Sequence, residues 1–133
     1  MKKTNVMVEF IITGDELNPN MVTEKLEMTP HQYWVKGDAI PGKSITRKDS
    51  CWIISTGYEE SLDINEQLEQ VIKRISPKTR VLKEIKAMYN LDFLFAIIVN
   101  VENNEKPSMY FDSRFIEFAN DIKSEFYIDL YIY

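Results

Sequence analysis

A chain of 133 residues, 44% apolar and 28% charged, has the make-up of one globular domain. At this length it can bury roughly two-thirds of its unfolded surface without covalent staples. A net charge of −5 argues against a general nucleic-acid binder, because phosphate contacts need a basic surface. Cys51 is the only cysteine, which excludes an intrachain disulfide and a thiolate zinc cluster.

The opening Met1-Lys2-Lys3-Thr4-Asn5 leads into a short apolar run interrupted by Glu9. This is not a secretory signal, and no later stretch approaches a membrane span, so a cytoplasmic location is expected. Val6 to Thr13 reads as a strand with Val8, Phe10 and Ile12 on one face, ended by Gly14-Asp15. Asn18 is a good helix N-cap with Pro19 at the first helical position, and Leu17 with Val22 fits a hydrophobic staple. That helix should run to about Glu27 and stop at Thr29-Pro30, since the residue before a proline resists helix.

Tyr33 to Lys36 reads as a short strand closed by Gly37-Asp38, Pro41-Gly42 marks a loop, and Cys51 to Thr56 is the next strand. Asp63 and Glu66 form a capping-box variant for a helix with Ile64, Leu68, Val71, Ile72 and Ile75 on one stripe. Ser76-Pro77 should cap a further helix with Leu82, Ile85 and Met88 inward. Leu91 to Val101 is apolar on both faces and belongs inside a sheet. A loop over Asn103–Pro107 should lead to a short strand at Met109–Phe111. Ser113 should cap a last helix with Phe115, Ala119, Ile122 and Phe126 on one side. The strand Tyr127–Tyr133 follows, with Ile128, Leu130 and Ile132 facing in and Tyr127, Asp129, Tyr131 and Tyr133 facing away.

The order β-α-β-β-α-α-β-β-α-β implies an α+β fold over residues 1–133. Helices should pack on one face of a mainly antiparallel sheet, and a ferredoxin-like core is compatible with the order.

Few motifs point to chemistry. Gly37 to Ser44 spells G-D-A-I-P-G-K-S, a match to the phosphate-binding loop pattern. That loop works only where it leaves a buried strand and opens a helix, whereas here it leads into a strand, so it reads as a chance match. His31 is the only histidine and reads as a solvated turn residue, while Cys51 reads as a buried, inert thiol. The basic run Lys78, Arg80, Lys83 and Lys86 reads as a solvated helix face. No catalytic pair, metal site or cofactor is indicated, and neither nucleic acid nor membrane is an expected partner.

Aromatic residues carry more information, because tyrosine and tryptophan join apolar area to a polar handle at binding surfaces. Trp34, Lys36, Asp38 and Trp52 could line a pocket at the Trp-x-x-Gly-Asp corner. Tyr127, Asp129 and Tyr131 could form a contact patch if their face is uncovered.

The segments F-I-I-T-G-D-E-L-N-P, L-E-M-T-P, W-V-K-G-D, C-W-I-I-S-T-G and Y-I-D-L-Y-I-Y, taken in order, resemble the prokaryotic domain of unknown function numbered 4279. The resemblance implies a small stand-alone cytoplasmic domain, often from bacterial genomes, and brings no activity, cofactor or catalytic residue with it. The functional expectation is a non-enzymatic protein-binding module of immunity or inhibitor type. The alternatives are a small-molecule binder or enzyme with a pocket near Trp34–Asp38, or a homo-oligomer joined through the face of Tyr127 to Tyr133.

Overall fold

The computed structural model describes residues 2–133. In chain order the elements are β1 (Asn5–Gly14), α1 (Pro19–Leu26), β2 (Gln32–Trp34), β3 (Ser50–Ser55), β4 (Glu59–Glu60), α2 (Ile64–Ile75), a 3-10 turn (Ser76–Lys78), α3 (Thr79–Tyr89), β5 (Asp92–Val101), α4 (Ser113–Asp121) and β6 (Glu125–Ile132). The fold is α+β, as the order of elements implies.

The sheet runs β2-β3-β1-β5-β6, and every pairing is antiparallel except β5 with β6. The short β4 pairs with the start of β1, beyond the end of β3. Between β3 and β4 the Thr56 hydroxyl takes the N–H of Val8 at 3.1 Å, so a side chain bridges the break in the ladder. Strands β1 and β2 flank β3, and β3 and β5 flank β1, so two split β-α-β units interlock. That is the ferredoxin-like arrangement, extended by β6 through the α4 crossover.

Alternation decides what the core receives. Val6, Val8, Phe10 and Ile12 of β1 are buried on the face that meets the helices, beside Trp52 and Ile54 of β3 and Phe93, Phe95, Ile97 and Val99 of β5. Helix α2 lies along β1 and contributes Ile64, Leu68, Val71 and Ile75. The Phe95 ring sits 5.0 Å from Phe10 and 5.1 Å from Phe115, tying two strands to α4. Each such fully buried ring stabilises the fold by about 2–3 kcal/mol through burial alone.

Local details depart from the sequence reading where side chains find better partners. Helix α1 ends at Leu26 because Glu27 takes a left-handed conformation, φ 53°, two residues before Thr29-Pro30. Asp63 caps α2 through the Asn65 N–H, yet Glu66 accepts the Ser61 hydroxyl rather than closing a reciprocal box. No Ser76 side-chain cap opens α3; the 3-10 turn joins it to α2, and the Thr79 hydroxyl donates to the Ser76 carbonyl at 2.6 Å. Asp112, not Ser113, caps α4, accepting the Phe115 N–H at 2.8 Å. Phe126 belongs to β6 rather than to the α4 stripe.

Met109–Phe111 is not a strand; that region makes only an isolated bridge between Ser108 and Asp63. Leu130 and Ile132 lie on the helix side of β6 but remain 45% and 62% exposed, on the strand that ends the sheet. Among the described residues, no helix is long and apolar enough to cross a membrane.

Candidate functional site: the uncovered sheet face

The helices all pack on one side, so no helix covers the opposite side of the sheet, although Trp34, paired with Cys51, and the Arg47 stacked on it lie on that side at the β2 end. Register places its residues in rows: Ile53, Ile11, Leu94 and Glu125; Ser55, Glu9, Ala96 and Tyr127; Met7, Ile98 and Asp129; Asn5, Asn100 and Tyr131. None of these residues joins the helix-packed core cluster. Ile53, Ala96 and Ile98 are nonetheless buried, shielded by larger neighbours on the same face.

Glu9 stands near the centre of this face. It is half-buried, and burial holds its carboxyl above the ordinary carboxylate range. Among the described residues, it has no ion pair and its carboxylate accepts no hydrogen bond. Tyr127, across Ala96, has its phenol pushed up by burial and then by the charges of Asp129 and Glu9. The Tyr131 hydroxyl donates to Asp129 Oδ2 at 2.9 Å, and that bond with the carboxylate charge raises Tyr131 as well. Asn100 and Asn5 are joined by a 2.9 Å amide hydrogen bond at one end of the face. Beside them an open hollow of about 530 Å³ is lined by Lys2, Lys3, Tyr58 and Tyr133 among others. Strand alternation thus gathers Tyr127, Asp129 and Tyr131 with Glu9, which in the sequence is only an interruption of an apolar run. Its signal was parity: Glu9 shares its side of β1 with Met7 and Ile11, while the alternate residues are uniformly apolar.

The second group of candidates does not assemble. Trp34 pairs with Cys51 and Trp52 pairs with Tyr33, so the two indoles leave the sheet on opposite sides. Trp52 is fully buried, and its N–H donates to the Thr23 hydroxyl at 3.1 Å. Trp34 instead lies under Arg47.

Lys36 and Asp38 shape the corner itself. Asp38 donates its N–H to the Val35 carbonyl and accepts the Val35 N–H on Oδ2, both at 2.9 Å, while the Lys36 N–H goes to Ser50 Oγ at 2.9 Å. Gly37, with φ 92°, occupies the third position of this turn, where a positive φ is required. The phosphate-loop match forms an irregular hairpin bridged by Ala39 and Thr46, and β3 rather than a helix follows it.

The remaining candidates have structural partners. His31 Nδ1 accepts the Ser55 N–H at 3.1 Å, which extends the β2–β3 pairing. Lys83 pairs with Asp121 at 2.9 Å and Lys86 donates to the Leu91 carbonyl, so the basic run is largely occupied. The Cys51 thiol is pushed up to about 12 by burial and by the charges of Asp49 and Glu9.

A family model described as "Domain of unknown function (DUF4279)" matches residues 2–133. No curated protein and no solved structure matched the chain. With the match spanning the whole fold, the chain belongs to the DUF4279 family of domains of unknown function.

Proposed function

We propose that this chain is a non-enzymatic protein-binding domain of the bacterial cytoplasm, acting through the uncovered sheet face. In its concrete form it is an immunity or inhibitor module that masks a toxin or enzyme. The observation that carries this reading is Glu9, a half-buried carboxylate without a cationic partner among the described residues, set among Met7, Ile11, Ala96 and Tyr127. A partner's lysine or arginine would supply the missing charge. The surrounding apolar and tyrosine surface would exclude water from the pair and so strengthen it. The net charge of −5 favours encounter with a basic partner.

The pocket alternative has weaker support, since Trp52 is packed into the core and Asp38 is committed to its own turn. The test is binding of a co-encoded toxin or enzyme, measured by calorimetry against wild type, Glu9→Gln and Tyr131→Ala. The reading expects each substitution to weaken binding by about 10-fold or more. Equal affinity for all three proteins, or no binding by the wild type, would overturn it.

A further inference from the structure

Strand β6 differs from every other edge of the molecule. The opposite edge, β2, spans only Gln32–Trp34, and the amides that follow it are capped by Asp38 and Ser50. Such shortening and capping is how sheet edges are kept from pairing. Strand β6 has neither device. Its eight residues, E-F-Y-I-D-L-Y-I, include no lysine, proline or glycine. Tyr133 donates its backbone N–H inward to the Val101 carbonyl at 3.0 Å. Backbone groups alternate along a strand, so Ile128, Leu130 and Ile132 turn theirs outward to the free edge.

The side chains are exposed on both sides of that edge. Tyr127 and Tyr131 are 44% and 46% exposed on the open face, and Leu130 and Ile132 are 45% and 62% exposed on the other. A partner resting on the open face would leave Leu130 and Ile132 in water. A strand laid along the edge covers both sets.

We propose that two copies of this chain associate about a two-fold axis by antiparallel pairing of their β6 edges, which joins the two sheets into one. The sequence of β6 is self-complementary in this arrangement. With the axis at Leu130, Leu130 faces Leu130, Ile128 faces Ile132, Tyr127 faces Tyr133 and Asp129 faces the Tyr131 of the second copy. With the axis at Asp129, two carboxylates would face each other, a destabilising arrangement across strands. The outward amides of Ile128, Leu130 and Ile132 meet one another in the Leu130 register, as an isologous interface requires. This inference goes beyond the protein-binding reading and does not rest on it, because Leu130 lies on the opposite side of the sheet from Glu9.

Light scattering coupled to size exclusion tests it on the full chain across the micromolar range. The expected result is a concentration-dependent rise from 15.7 kDa toward twice that mass. Leu130→Pro removes only an outward N–H, so the ladder to β5 survives while the dimer weakens by about 10-fold or more. Leu130→Lys, at a side chain already exposed, is the second variant, and circular dichroism confirms that both remain folded. A wild type that stays monomeric overturns the proposal. So does a dimer that survives both substitutions, including one that falls apart instead in Ile11→Lys on the open face.

Discussion

The guanidinium carbon of Arg47 lies 3.8 Å from the centre of the Trp34 ring, and this stack closes the irregular segment between β2 and β3 onto the sheet. Within the segment, a bridge joins Ala39 to Thr46 and backbone bonds join Gly37 and Asp38 to Arg47, and the Lys36 N–H ties it to Ser50 of β3. Arg47→Ala should therefore lower stability by about 0.5–2 kcal/mol. Arg47→Lys should restore only part of the loss, because an ammonium lacks the planar surface that stacks on an indole. Urea denaturation with an unchanged m-value reads both. If Arg47→Ala leaves the midpoint where it was, the stack contributes nothing.

Gly37→Ala isolates backbone conformation from packing. No atom lies within 4 Å of where a Cβ would stand, so crowding is absent. A positive φ of 92° remains, which an L-residue adopts at a cost of about 1–2 kcal/mol. Thermal unfolding should show the loss, with Asp38→Asn producing a smaller one. A Gly37→Ala protein as stable as wild type would show that the corner relaxes into another turn.

Cys51 should be inert while the protein is folded. Its thiol is pushed up to about 12, so almost no thiolate forms near neutral pH, and its side chain is buried. Modification by a disulfide reagent should track global unfolding as denaturant is added. Rapid labelling of the native protein would show instead that the end of β3 opens locally.

Glu9→Gln should raise stability at neutral pH. Burial holds the folded carboxyl above the ordinary glutamate range, so ionisation is less favourable in the folded than in the unfolded chain. Folding then retains its full stability below the unfolded pKa and loses part of it as pH rises through the folded one. The advantage of glutamine should accordingly appear above that window and fade toward acidic pH. Denaturation midpoints of both proteins from acidic to neutral pH measure this. A variant less stable than wild type at neutral pH would show that the charge of Glu9 is balanced within the fold. Taken together with weaker partner binding, a gain in stability would mark Glu9 as a residue kept for contact rather than for folding.

Much of the fold was legible because its causes are local. The helix-side pattern of Val6, Val8, Phe10 and Ile12 follows from the two-residue period of a strand, and the Ile64–Ile75 stripe from the helical one. Asn18 and Asp63 cap their helices through bonds that span two residues. Ser113 carries a capping side chain too, but the helix begins one residue earlier and the Asp112 carboxylate takes the Phe115 N–H. Met109–Phe111 shows strand-like residues, yet the only strand pairing near it is Ser108's isolated bridge to Asp63, and a strand exists only where another strand receives it.

The α+β class, the order of the long strands and the helices, and the two faces of each long strand could be read from the chain, because these depend on residues a few positions apart, whereas the two-residue β4 could not. Tertiary structure alone decided which face lacks helices, that Trp34 and Trp52 part company, and that Glu9 stands beside Ser55 and Ala96 and near Tyr127. Those relationships join residues far apart in sequence through strand register and the side taken by each crossover. Composition and periodicity carry no term for either.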